Sequence, residues 1–177
     1  MPDPRSAFLE HFRWEGHHAD LWRIFRHPVA LSAVVSGLAE PFREIRPDAV
    51  IGIESRGFLL GGAVAVQLGA GFVAVRKDTG LFPGPKVRRR TDPDYRGHSH
   101  ELRLRTDDLR PGDRAVLVDD WVETGAQAAA VAALVGEVGA ELIGIAVVVD
   151  ELAEAMRPRL PPVQSLVAAA DLPAFPS

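Results

Sequence analysis

A strand, two adjacent acids and a helix follow one another within residues 115–127, which read AVLVDDWVETGAQ. The apolar start is typical of a buried strand, and the alanine-rich end is typical of a helix. We expect Asp119 and Asp120 at the carboxyl edge of a sheet, where paired carboxylates can accept hydrogen bonds from neighbouring sugar hydroxyls. The N–H groups of residues 123–127 would favour a phosphate. A strand, an acidic turn and a helix cap without any ligand are the simpler interpretation.

The rest of the chain alternates between helices and strands. Apolar spacing predicts helices over residues 29–42 and 58–68, and strands over residues 49–53, 71–76 and 142–149. Strands separated by helices are joined by right-handed crossovers into a parallel sheet. The predicted fold class is therefore α/β, with a parallel-sheet core and helices on both faces. Ligands of such sheets gather beyond the carboxyl ends of the strands.

In two stretches the apolar residues do not repeat at the spacing of a helix or a strand. Residues 1–20 are rich in charged, aromatic and histidine side chains, which predicts an irregular segment or a short helix. Residues 78–111 are rich in Pro, Gly and Arg, and a connection of that length inside a compact domain is usually functional. We expect a flexible flap there, in which residues 100–104 could pair as a hairpin. The length of 177 residues suits a single domain.

Composition argues against several classes of function. The formal net charge of −4 gives no reason to expect nucleic acid as a partner, and the absence of cysteine excludes disulfides and thiol catalysis. No apolar run approaches the roughly 18 residues that span a bilayer, so we expect no membrane partner. The first residues lack the pattern of a secretory leader, and we expect a soluble cytoplasmic protein.

Several motifs resemble those of a known family. Residues 115–127 resemble the phosphoribosyl-diphosphate (PRPP) motif of type I phosphoribosyltransferases. Residues 52–58, which read GIESRGF, resemble the pyrophosphate loop of the adenine branch of that family. Arg76 and Lys77 match an Arg-Lys pair of the same branch, and residues 81–85 are similar to its flap entrance. The whole chain is most similar to the adenine branch.

The resemblance implies an activity, a fold and a set of ligands. A ribose 5-phosphate unit would pass from PRPP to a ring nitrogen of a purine, adenine-like in type, and pyrophosphate would leave. Mg²⁺ would be bound through PRPP, and no metal site of the protein's own is expected. The implied fold is one phosphoribosyltransferase domain over residues 1–177, with residues 1–28 as a hood and residues 78–111 as the flap. A homodimer is the usual assembly of the family.

The site residues implied by the resemblance fall into three groups. The catalytic group comprises Asp119, Asp120, Glu123 and Arg56. The PRPP- and phosphate-binding group comprises Ser55, Arg56, Gly57, Arg76, Lys77, Glu123, Thr124, Gly125, Ala126 and Gln127. The base-binding group comprises His18, Trp121 and Val122. The family often has a cis peptide bond in its pyrophosphate loop, and we expect it near Glu54 and Ser55.

The chain departs from the adenine branch around the base and the phosphate. The family ends its phosphate turn in Gly-Thr, where this chain has Ala126 and Gln127. Glu123 takes the place of a small residue, and its carboxylate could accept a proton from a ring nitrogen. His18 takes the place of a Phe that stacks on adenine. Trp121 next to the base would suit a flat aromatic substrate, although core packing explains an indole there equally well.

The flap residue that acts as general acid or base in the implied reaction is unassigned, and two other functions stay open. Arg96 occupies the position where the family has a glutamate, so Asp94 and His98 are the alternative candidates. Glu123, Trp121 and the missing Phe also suit a phosphoribosyltransferase for another purine or heteroaromatic base. A non-catalytic PRPP-binding regulator on the same fold is the remaining alternative.

Overall fold

The computed structural model describes residues 2–78, 80–93 and 97–175. The α-helices of the described residues are α1 (Pro4–His11), α2 (Trp22–Arg26), α3 (Pro28–Ala39), α4 (Arg56–Leu68) and α5 (Ala126–Glu137). The strands are β1 (Trp14–Glu15), β2 (His18–Ala19), β3 (Ala49–Ile53), β4 (Gly71–Lys77), β5 (Lys86–Arg90), β6 (Glu101–Arg105), β7 (Arg114–Val122), β8 (Glu141–Asp150) and β9 (Val163–Ala168). Short 3₁₀ segments cover Glu40–Phe42, Thr106–Asp108, Glu154–Arg159 and Ala169–Asp171.

The main sheet has the strand order β5-β6-β4-β3-β7-β8-β9. Strands β4, β3, β7, β8 and β9 run parallel to one another, which confirms the predicted parallel core. Strand β6 pairs antiparallel with both β4 and β5, so a hairpin extends one edge of the sheet. Strand β3 is buried at every position, as expected for a parallel strand covered on both faces.

Helices cover both faces of the sheet, also as predicted. Successive residues of a strand point to opposite faces, so Val50 of β3 packs into one core cluster and Ile51 into the other. The first cluster joins the sheet to α1, α2, α3 and α4, and Phe8, Phe12 and Leu60 are fully buried in it. The second cluster joins the sheet to α5 and includes Leu134.

One sequence prediction about these strands is wrong and another is confirmed. Strand β7 does not end before the acids, because it pairs with β8 as far as Val122; Asp119 and Asp120 therefore lie within its last residues. The hairpin expected over residues 100–104 does form, since β6 pairs antiparallel with β5 within residues 78–111. Strand β6 buries Leu102 and Leu104 beneath α5, while β5 exposes a run of arginines.

The N-terminal segment contains a short helix, one of the two structures predicted for it, and a hairpin that was not predicted. Helix α1 begins at a proline, and the Asp3 side chain accepts a hydrogen bond from the Ser6 N–H at 2.8 Å, which caps the helix. Strands β1 and β2 then form a small hairpin around Gly16, whose φ of 57° lies in the left-handed region. None of the helices in the described residues has the length and apolar character needed to cross a bilayer.

Candidate active site

The carboxyl ends of the parallel strands open into a cavity of about 1080 Å³. Adjacent parallel strands end at the same edge, so the register that aligns Ile53 with Val75 and Gly52 with Val118 brings the predicted motifs together. Most of the predicted site residues line this cavity: His18, Ser55, Arg56, Lys77, Asp119, Asp120, Trp121, Val122, Glu123, Thr124, Gly125, Ala126 and Gln127. Gly57 and Arg76 are not among the residues that line it.

Asp119 and Asp120 form a pair of carboxylates at the end of β7. The Asp120 N–H donates a hydrogen bond to Asp119 Oδ1 at 2.9 Å, and Asp120 is 6% exposed. Burial, followed by the charge of Asp120, raises the pKa of Asp119 well above its ordinary value. Two acids held this closely in a cavity are costly to ionise together, and hydrogen-bond donors from a ligand would lower that cost.

Arg56 supplies the positive charge next to this pair. Its Nε lies 2.8 Å from Asp120 Oδ2, so the two side chains form an ion pair. The alignment of the two groups is not that of a hydrogen bond. Asp120 Oδ2 consequently is a buried oxygen with no hydrogen-bond partner among the described residues. An unsatisfied buried acceptor of this kind fits a donor that arrives with a ligand, such as a sugar hydroxyl.

Residues 123–127, the phosphate turn, lead from β7 into α5. Gly125 adopts φ 76° and ψ 0°, a left-handed conformation that favours glycine. The Ala126 N–H donates to Thr124 Oγ1 at 3.3 Å, and the N-cap residue of α5, Gly125, has no side chain that could cap the helix. The first turn of α5 contains no acid. Its remaining N–H groups and the positive end of the helix dipole therefore suit an anion, as predicted.

Residues 52–58, the pyrophosphate loop, contain the expected cis peptide between Glu54 and Ser55. The Glu54 carboxylate accepts hydrogen bonds from Arg76 Nε at 2.9 Å, from Arg76 Nη2 at 3.0 Å and from the Lys77 N–H at 3.1 Å. Burial acts to raise the pKa of Glu54, but these hydrogen bonds outweigh it and hold that pKa below its ordinary value. Arg76 is thus bound to the loop, while Lys77 lines the cavity; the phosphate contacts expected of both stay predictions.

Gly57 contributes through its lack of a side chain. A Cβ at this position would lie 3.0 Å from Asp119 Oδ1 and 3.2 Å from the Val118 carbonyl oxygen. The glycine therefore allows the start of α4 to pack directly against the acid pair. The phosphate contact that the resemblance implies for Gly57 stays a prediction.

The opposite side of the cavity comes from the hood and the C-terminal segment. Trp14 Nε1 donates to the Pro173 carbonyl at 2.7 Å, and its ring stacks on Phe175 with centroids 4.2 Å apart. His18, which was predicted from the sequence, also lines the cavity. Trp14 and Phe175 were not predicted, because the segment after β9 has no periodic pattern. Aromatic rings on this side suit a flat ligand.

Trp121 and Val122 form the wall next to the acids. Val122 is buried and also packs into the second core cluster. Trp121 packs partly against the first cluster and lines the cavity as well, so it does pack against the core, and its contact with a base stays a prediction. Its Nε1 donates to Glu151 Oε2 at 2.8 Å. Glu151 lines the cavity too and was not predicted.

The flap reaches the cavity through its histidines. His98 and His100 line the cavity, and His100 Nδ1 lies 3.2 Å from Asp78 Oδ2. The hydrogen bond from His100 lowers the pKa of Asp78. Asp94 and Arg96, the other candidates for the acid or base, lie outside the described residues. Within residues 2–78, 80–93 and 97–175, no group of three or more His, Asp or Glu side chains is placed to hold a metal ion.

Comparison with known proteins agrees with this geometry. The family model described as the phosphoribosyl transferase domain matches residues 23–173. An adenine phosphoribosyltransferase of Nitrosospira multiformis is 37% identical over 147 residues, which cover 82% of this chain and 82% of the relative. The crystal structure of adenine phosphoribosyltransferase from Rhodothermus marinus is similar with a TM-score of 0.81 and 32% identity, covering 93% of this chain and 98% of that one. The Saccharomyces cerevisiae enzyme, complexed with an imino-altritol bisphosphate and adenine, is similar with a TM-score of 0.79 and 29% identity over 92% of this chain and 98% of its own.

Proposed function

The chain belongs to the phosphoribosyl transferase family, and we propose that it transfers the 5-phosphoribosyl group of PRPP to adenine, with AMP and pyrophosphate as products. The bond between the purine nitrogen and C1′ forms, the bond from C1′ to a pyrophosphate oxygen breaks, and the proton on the purine nitrogen leaves. The observation that carries the proposal is the placement of Asp119, Asp120 and the phosphate turn in one cavity with aromatic walls. The names of the relatives, and the adenine in the yeast complex, support adenine as the base.

The acid pair provides for the ribose. The displacement builds positive charge on the ribose and negative charge on the leaving pyrophosphate, so charges placed beforehand are the main means of catalysis. Asp119 and Asp120 accept hydrogen bonds from the two ribose hydroxyls, and their negative charge stabilises the positive ribose. The raised pKa of Asp119 and the unsatisfied Oδ2 of Asp120 support this role, because both groups gain from hydroxyl donors.

The phosphates bind at two other places in the cavity. The N–H groups of the phosphate turn hold the 5′-phosphate, with Gly125 setting the turn and Thr124 oriented by its bond to Ala126. Ser55, Arg56 and Lys77 lie at the pyrophosphate end, where their donors and charges neutralise the leaving group. Mg²⁺ arrives bound to PRPP oxygens as part of the substrate and adds to this neutralisation.

The base lies between the hood and the end of β7. Trp121 and Val122 contact one side of it, and His18 contacts the other. Glu123 accepts the proton that the ring nitrogen loses, since it lines the cavity and is the first residue of the phosphate turn, directly after Val122 of the base wall. Residues 1–28 form the hood and residues 78–111 the flap of a single domain, and closure of the flap excludes water from PRPP.

A homodimer is the proposed assembly. Leu59, Val66 and Phe72 are large apolar side chains with exposed fractions of 38%, 83% and 40%. Leu59 and Val66 are seven residues apart and lie on one face of α4, the helix that begins at Arg56. A second copy of the chain covering this face would adjoin the pyrophosphate loop, and analytical ultracentrifugation that finds only monomers would contradict it. The cytoplasmic location stays a prediction from the sequence.

Pyrophosphate release tests the proposed activity. The purified protein is incubated with PRPP, Mg²⁺ and adenine, and in parallel with other purines and without a base. We expect release with adenine, and its loss in the double variant Asp119→Asn, Asp120→Asn, while Asp107→Asn, an exposed acid outside the cavity, keeps full activity. Release only with another base would reassign the acceptor. PRPP binding without release under any of these conditions would replace the enzyme with a regulator.

A further inference from the structure

Glu151 is a carboxylate of the cavity that the proposed reaction does not use. It follows β8 directly and lines the cavity, where it is exposed. Its carboxylate Oε2 accepts the hydrogen bond of Trp121 Nε1 at 2.8 Å. No hydrogen bond or ion pair to Oε1 occurs in the part of the chain that the structure describes. One half of the carboxylate is therefore held, and the other half is available to a ligand.

The backbone on both sides holds Glu151 in place. Its own N–H donates to the Val122 carbonyl at 2.8 Å, which ties it to the end of β7. Asp150, the preceding residue, accepts from the Leu152 N–H at 2.9 Å and from Arg157 Nη1 at 3.0 Å. Because these bonds fix the main chain and Trp121 fixes the side chain, the direction of the free oxygen is preset before a ligand binds.

We propose that Glu151, oriented by the Trp121 indole, is a specificity-determining residue that accepts a hydrogen bond from the exocyclic amino group of the base. The inference rests on the proposed function, since it concerns the base that receives the phosphoribosyl group. Trp121 already belongs to the base wall, so a group bonded to its indole nitrogen lies at the rim of a base in contact with that ring. A carboxylate oxygen accepts hydrogen bonds and cannot donate them when ionised, so it attracts an amino group and repels a carbonyl oxygen.

The substitution Glu151→Gln tests this orientation sharply. The indole N–H is only a donor, so the amide oxygen of Gln must face Trp121, and the amide NH₂ is left for the base. The free position thereby changes from acceptor to donor. The kcat/KM for a base with an amino group should fall, and the kcat/KM for a base with a carbonyl group at the same ring position should rise. A hydrogen bond to a charged group contributes about 1.5–3 kcal/mol, so kcat/KM for adenine should fall about 10- to 100-fold.

The assay compares three bases in the wild type and the variant. Adenine carries the amino group, hypoxanthine a carbonyl in its place, and purine neither. For Glu151→Gln we expect the ratio of kcat/KM for adenine to that for purine to fall about 10-fold or more, the ratio for hypoxanthine to purine to rise, and the KM for PRPP to stay unchanged. Glu141→Gln, an exposed acid at the opposite end of the same strand, should keep the wild-type ratios.

The double variant Trp121→Phe, Glu151→Gln adds a second criterion. Without the indole N–H the Gln amide can turn its oxygen toward the base, so part of the adenine preference lost in Glu151→Gln should return. An equal loss for all three bases would mean that Glu151 only supports Trp121, and unchanged ratios would mean that it does not meet the base; either result overturns the inference. Both outcomes leave the proposed function standing if the wild type releases pyrophosphate with adenine, whereas a wild type without release refutes the function itself.

Discussion

Replacing Gly57 with alanine should damage both stability and catalysis, because the added methyl group meets the acid pair. The new Cβ would lie 3.0 Å from Asp119 Oδ1 and 3.2 Å from the Val118 carbonyl oxygen, closer than ordinary van der Waals contact. Overpacking of this kind costs roughly 1–3 kcal/mol. The gain from replacing glycine by alanine in a helix, roughly 0.5–1 kcal/mol, offsets part of that cost.

Gly136, an exposed glycine of α5, provides the control. A Cβ there meets nothing within 4 Å, so Gly136→Ala should gain the helix propensity and no more. The difference between the free energies of unfolding of the two variants, measured by urea denaturation, should therefore be roughly 1–3 kcal/mol in favour of Gly136→Ala. Displacing the Asp119 carboxylate should lower kcat/KM for PRPP about 10- to 100-fold in Gly57→Ala only. Equal stability and equal activity of the two variants would refute the packing argument.

Three further predictions concern the same site. Asp119→Asn should be inactive in pyrophosphate release yet more stable than the wild type at pH 7. The folded-state pKa of Asp119 is raised, so its stabilising contribution is lost as the pH rises through that value. A variant that is less stable than the wild type in thermal unfolding would contradict this. Glu54 has a lowered folded-state pKa, so its contribution to the free energy of unfolding is present above its unfolded pKa and is lost as the pH falls through the folded one. In Glu54→Gln the free energy of unfolding, measured by urea denaturation, should therefore fall less steeply with acid below about pH 4.5. A pH dependence equal to that of the wild type would count against the Arg76 contact. Gly125→Ala should raise the KM for PRPP and lower the free energy of unfolding by about 1–3 kcal/mol, because φ is 76° and the Cβ would lie 2.9 Å from Leu152 Cδ1. A variant with the same kinetics and stability as the wild type would show that the turn tolerates a side chain.

The elements that depend on a continuous sequence pattern could be predicted from the sequence alone. Strands β3 and β8 are apolar runs buried on both faces, and the structure places them at the predicted positions. The acid pair and the phosphate turn could be located because a strand end, two acids and a helix start are adjacent in the chain. Parallel pairing then brings the ends of neighbouring strands to one edge, so the juxtaposition of Arg56 with Asp120 follows from topology.

Other features depend on contacts between distant parts of the chain and have no local signal. Phe175 meets Trp14 across most of the sequence, and Glu151 meets Trp121 only because β7 and β8 are in register. Strand β5 reads KVRRR, and a run of cations predicts a solvated loop unless its partner β6 is known. The end of β7 was placed too early because two acids normally end an apolar strand, whereas here pairing with β8 continues past them.

The most direct test of the central claim is a crystal structure of the protein with AMP. The ribose hydroxyls should lie within hydrogen-bond distance of the Asp119 and Asp120 carboxylates, and the 5′-phosphate should accept hydrogen bonds from the N–H groups of residues 124–127. AMP bound outside this cavity, or bound with its ribose away from both carboxylates, would contradict the account.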